Sequence, residues 1–215
     1  MPDLKDREKH ERKLTQSIAD VFREHRERYQ RTGRVAPQKL NNELTSAISM
    51  VLLLIYLDSG KGLFGEFDDP RLSTSLLQNR AAQWSQRYSE QLARELTQST
   101  LDDLAAANQS GTLSRTETGQ RVFSPQRAES IGITETTRAT TAGEDGARRE
   151  VERQLNVTLR PHWVTAGDAR VCKICSPLNG RPLSTLNAYK QGPPAHPRCR
   201  CFVRYEVSER RDTDA

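Results

Sequence analysis

The sequence predicts an α+β protein: an elongated, mainly helical N-terminal region followed by a small helix-plus-β module that carries a Cys/His cluster. Three observations predict it. Leu72, Leu76, Trp84, Tyr88, Leu92, Leu96, Leu101 and Leu104 recur near every fourth position over a polar background, which is the period of an amphipathic helix. After Pro161 the pattern changes to short β-like runs bounded by turn residues. All four cysteines lie between residues 172 and 201, in "VCKIC" and "PPAHPRCRC", beside His196.

The elements follow in order. Residues 4 to 31 alternate charges with apolar positions, and Ile18, Val21 and Phe22 share one helical face. "TGRVAP" at 32–37 interrupts with a glycine and a proline. A second helix starts near Gln38 and runs through the apolar stretch to Leu57. The glycine-rich "DSGKGLFGEFDDP" that follows then reads as a loop over 58–71. The third helical pattern spans about Leu72 to Ala107. Residues 1–110 therefore form the helical region, and the polar, turn-rich stretch 111–124 reads as a linker. Ser124 and Pro125 are an N-cap and first-turn pair, opening a helix that "AGEDG" at 142–146 breaks or weakens. In the module, 125–207, "HWVTAG" reads as a strand, Asn179-Gly180 as a hairpin turn and "RCRCFVRYEV" as a terminal strand. Residues 208–215 read as a disordered tail.

Composition narrows the function classes. With 34% hydrophobic and 28% charged residues in a 215-residue chain, there is more surface than core, as in extended helices or in a protein that completes its packing in an assembly. The start is charged where a secretory signal would be apolar. "AISMVLLLIYL" at 47–57 is shorter than the roughly 20 residues of a membrane span, so it reads as a buried or interface helix and no membrane is expected. The net charge is +5, concentrated in Arg170, Lys173, Arg181, Lys190, Arg198, Arg200 and Arg204. That basic excess fits nucleic acid or an acidic partner, and equally a solvated face.

The cysteine spacing is C-x2-C, twenty residues, then H-x2-C-x-C. Two cysteines two residues apart can wrap a tetrahedral ion, and a second close pair completes the shell. Cys172, Cys175, His196, Cys199 and Cys201 are five candidates for four places on a structural zinc. Disulfides between the two pairs and reduced, packed cysteines stay open as alternatives. Redox catalysis is disfavoured, because Pro177 and Asn179-Gly180 stop the helix that such a pair would open. No hydrolase spacing, phosphate loop or nucleophile elbow is present, so no catalytic residue is assigned.

"ESIGITETTRATTAGE", "HWVTAGDARVCKICSPLNGRPL" and "PPAHPRCRC" together resemble the phage Mu F-like family of minor head proteins. The pattern falls on Thr134-Glu135, Trp163, Thr165, Asp168, Arg170, the C-x2-C pair, Leu178, Gly180, and His196-Pro197 through Cys201, over about residues 125–205. Ile133 stands where the family often has arginine. The resemblance implies a non-enzymatic structural component of a tailed-phage head. It implies association with the portal and other head proteins, in several copies, and a role in head morphogenesis and in DNA packaging or delivery. Its place would be the host cytoplasm during assembly and then the virion head. The rival expectation is a zinc-stabilised nucleic-acid-binding module built on the seven basic residues.

Overall fold

Among the described residues, apolar positions at helical spacing produce four long helices and a short one: α1 (Leu4–Thr32), α2 (Pro37–Phe67), α3 (Thr74–Ser110), α4 (Arg115–Val122) and α5 (Pro125–Leu155). Two strands follow, β1 (Val157–Val164) and β2 (Phe202–Arg210). The structure is a computed structural model and describes residues 4–167 and 171–210. Helix starts are where the cap chemistry puts them. Ser124 Oγ accepts from the Arg127 amide with Pro125 in the first turn. Ser114 and Glu117 form a reciprocal capping box that opens α4.

The main core gathers Leu14, Ile18 and Phe22 of α1, Leu40, Leu44, Ile48, Leu52 and Ile55 of α2, and Leu92 and Leu96 of α3. Ala128 and Ala139 of α5 complete it. Helix α5 thus lies against α1 and α2, and the core continues across residue 124. A second cluster joins Leu63, Phe64, Leu77 and Ala81 to Ala147, Val151, Val157 and Leu159. Small residues let α5 approach α2 closely. A Cβ on Gly143 would sit 2.2 Å from the Tyr56 carbonyl oxygen, and one on Gly146 would sit 2.0 Å from the Tyr56 hydroxyl. These glycines mark a helix crossing, and α5 runs unbroken through "AGEDG".

The break expected at 58–71 is also absent over most of its length. Helix α2 continues to Phe67 and ends at Asp68 in the left-handed region, whose N–H bonds the Phe64 carbonyl. A glycine in a helix costs roughly 1 kcal/mol, while burying a leucine or phenylalanine gains about 2 kcal/mol. Leu63 and Phe64 are both buried, so the helix extends through Gly60, Gly62 and Gly65. By length and composition α2 is apolar enough to cross a membrane, yet Leu40, Leu44, Ile48, Leu52 and Ile55 are fully enclosed by the other helices. The apolar stretch read as a buried or interface helix is largely core, with Met50 alone strongly exposed in it.

Three further boundaries move. Residues 115–122 of the expected linker are α4, because the Ser114 box starts a helix whose Thr118, Gly119 and Val122 are buried. Strand β1 begins at Val157, before Pro161, which pairs opposite Tyr205. A proline is admissible there because a two-stranded sheet has only edge strands. Strand β2 carries Ser208 to Arg210 into the sheet, antiparallel to β1. The remaining residues of the expected tail lie outside the described ones.

Candidate metal centre

Strand β1 organises the site. The Trp163 amide donates to the Arg181 carbonyl at 2.9 Å, and the Gly180 amide donates to the Trp163 carbonyl at 2.7 Å. Asn179 Oδ1 accepts from both the amide and the hydroxyl of Thr165. The Trp-x-Thr strand therefore grips Asn179-Gly180-Arg181 along its edge. Gly180, at φ +76°, permits the turn, and no β-hairpin forms there because a 3-10 turn, Ser176–Leu178, leads straight into it. That turn delivers Cys175. Around it a third apolar cluster collects Trp163, Leu178, Leu183, Leu186 and Val203 with Cys175, Cys199 and Cys201.

The five candidate groups converge. His196 Nε2 lies 3.0 Å from Cys172 Sγ and 3.2 Å from Cys175 Sγ. Cys175 Sγ is 3.8 Å from Cys199 Sγ. Two ligand sets, Cys172–Cys175–His196 and Cys175–Cys199–Cys201, each have their ligand atoms within 4.8 Å of one another and share Cys175. Two sulfurs on a tetrahedral zinc lie roughly 3.8 Å apart, given Zn–S near 2.3 Å. The sulfur spacing matches that edge, and the groups surround a cavity of about 30 Å³, room for one small ion. The cluster could hold a metal ion. None of the four cysteines is in a disulfide.

Protonation follows from the same contacts. His196 Nδ1 is 2.7 Å from the Pro197 carbonyl. A carbonyl only accepts, so Nδ1 carries the proton and, in the neutral ring, Nε2 presents its lone pair to the sulfurs, the usual outer contact of a ligating histidine. The Cys199 thiol is held down at about 5, chiefly by its hydrogen bond with Cys201. Burial pushes Cys175 up to about 12. Cys201 is also raised, first by bonding to Cys199 and then by burial. Cys172 is lowered by the Cys175 amide, which points at its sulfur. Without a metal the thiols share few negative charges; a cation would displace the remaining protons.

The second cysteine pair is tied to helices far away in sequence. The Arg198 amide donates to Thr134 Oγ1 at 2.9 Å. Thr137, one turn on, donates its hydroxyl to the Cys199 carbonyl and accepts from Arg7 of α1. Arg7 also donates to the Arg200 carbonyl at 2.9 Å and pairs with Glu11. Glu11 in turn receives Arg200. Glu135 points elsewhere: it is buried, accepts from Tyr88 at 2.6 Å and pairs with Arg138. Burial raises its pKa.

The sequence-predicted residues thus separate. Cys172, Cys175, His196, Cys199 and Cys201 come together, held by Thr134, Trp163, Thr165 and Gly180. Pro197 supplies the carbonyl that orients His196. Asp168 and Arg170 lie outside the described residues. Of the basic set, Arg198 pairs with Glu129 and Arg200 with Glu11, while Lys173, Arg181, Lys190 and Arg204 are exposed. Arg7, Glu11 and Thr137 were not singled out, and Asn179 only as half of a turn. Thr137 lies three residues from Thr134, a helical spacing that would have placed both on one face. Arg7 and Glu11, at i and i+4, look in sequence like an ordinary surface pair.

Fold and site define a helical protein whose C-terminal loops are fastened by a thiol–imidazole cluster. Residues 80–204, more than half of the chain, match the family model described as Phage Mu protein F like protein. The chain belongs to that family. The match reaches upstream into α3, well before the residues that carry the motif. No curated protein and no solved structure matches the chain.

Proposed function

We propose that this protein is a structural minor head protein of a tailed phage or prophage, working in head morphogenesis with portal and other head proteins. Membership of the Mu F-like family carries this reading. The chemistry of the motif supports it, since Thr134, Trp163, Thr165, Gly180 and Pro197 each position the loops around the cysteines. In this reading the protein acts in several copies, assembling in the host cytoplasm and residing in the head. DNA packaging or delivery is affected through the assembled particle.

The cluster holds one structural zinc through four of the five groups Cys172, Cys175, His196, Cys199 and Cys201. Thiolates and imidazole suit zinc, and the Pro197 carbonyl already sets the required histidine tautomer. The ion would supply folding free energy on the order of 10 kcal/mol to loops that otherwise lack regular structure.

The test is affinity capture from infected cells after nuclease digestion. Portal and capsid proteins should co-purify in nuclease-resistant fashion, and their absence would sink the assembly reading. A nucleic-acid-binding module is less well supported, because Arg198 and Arg200 are engaged by carboxylates. It would be revived by DNA binding that weakens steeply with salt and depends on Lys173, Arg181, Lys190 and Arg204.

A further inference from the structure

A second cavity, of about 440 Å³, lies away from the cysteines, where α1, α2, α5 and β2 meet. Its volume is that of a small-molecule site. Glu144 of α5 lines it, 5% exposed, with Oε2 lacking any hydrogen-bond partner. A carboxylate enclosed without a partner is costly unless it is neutral or meets a cation. Asp6, Asp58 and Glu66 stand on the same walls. Of the basic residues there, Arg7 stands near enough to offset part of the rise that burial imposes on the Glu144 pKa, yet makes its hydrogen bonds to Glu11, Thr137 and the Arg200 carbonyl. His10 pairs with Asp58 at 3.1 Å, and Arg204 leans toward Glu206. Leu63, Val164 and Phe202 give the cavity apolar sides.

An acidic end within apolar walls suits a cation on an aliphatic stem. We propose that this cavity binds a primary alkylammonium group, with Glu144 as its anchoring carboxylate. The group comes from a free aliphatic diamine or from a lysine side chain of a partner chain, which share this chemistry.

Calorimetry on the full chain at about pH 9, where Glu144 is ionised and the ammonium probes keep their charge, tests it with 1,4-diaminobutane, Nα-acetyl-lysine amide and, as a neutral control, n-butanol. At least one ammonium probe should bind with a sub-millimolar Kd. Butanol should bind at least tenfold more weakly. Glu144→Gln should weaken the ammonium probe roughly 10- to 100-fold, the weight of a hydrogen bond to a charged group. Gly62→Leu offers a second variant that keeps the carboxylate. A Cβ at Gly62 meets nothing within 4 Å, and leucine is the better helix former, so this variant should fold with the cavity filled and lose the probe. Tighter binding of the diamine identifies a free amine as the ligand, and tighter binding of the lysine amide identifies a partner's lysine. No ammonium binding, equal binding of butanol, or undiminished binding to Glu144→Gln would overturn the assignment.

Discussion

Replacing Thr137 by valine removes one hydroxyl and nearly nothing else, since the two side chains have the same shape. That hydroxyl accepts from Arg7 and donates to the Cys199 carbonyl, and all three residues are buried. Each buried polar group left without its partner costs about 1–3 kcal/mol. Arg7 retains Glu11 and the Arg200 carbonyl, which keeps its share near the lower limit. The loss should therefore total about 2–4 kcal/mol. For a chain of this size 1 kcal/mol moves Tm by roughly 2–4 °C, so Tm should fall by about 4–16 °C. Urea unfolding of the reduced protein measures the free energy. A double-mutant cycle with Arg7→Met should show coupling of at least about 0.5 kcal/mol. A Thr137→Val loss below that size, or no coupling, would refute the idea that α5 and α1 hold the second cysteine pair in place.

Cys175 belongs to both ligand sets, so Cys175→Ser should abolish zinc in elemental analysis, whereas at least one of the serine variants at 172, 199 and 201 should retain it. Burial, reinforced by Glu66, pushes Glu144 from 4.5 up to about 8. Between those values the folded chain holds a proton that the unfolded chain has released, so stability should decline as pH rises from about 5 to 8. The shift corresponds to at most about 5 kcal/mol, and Glu144→Gln should flatten the decline in urea unfolding at several pH values. Gly143→Ala should destabilise by about 3 kcal/mol or more, because its Cβ would meet the Tyr56 backbone at 2.2 Å. Gly65→Ala, on the same pair of helices but with open space around it, should instead stabilise by about 1 kcal/mol in thermal melts.

Most of the helices were legible because their signals are local, although α4 and its Ser114 box were read as linker. Ser124-Pro125 named the start of α5, and leucine spacing named α3. The glycines of α2 and α5 misled for one reason: the same residue weakens an isolated helix and permits two helices to touch. Only the partner's position distinguishes the cases, and Tyr56 is some ninety residues away from Gly143 and Gly146. The Cys/His cluster was legible as a set of residues, since close spacing forces cysteines into one neighbourhood. Some of its supports were not. Thr137 and Arg7 act through bonds to backbone carbonyls of a distant loop, and such bonds leave no pattern of residue type.

Glu11 and Arg200 are separated by 189 positions, and Arg7 reaches the Arg200 carbonyl across 193. Helix α1 therefore cannot satisfy its buried charges until Arg200 has emerged. An incomplete chain presents Arg7 and Glu11 to solvent and leaves one side of α5 bare. The segment that carries His196, Cys199 and Cys201 follows the helices in the chain and closes upon α1, so its emergence, rather than any earlier length, is the point at which the buried charges of α1 are paired.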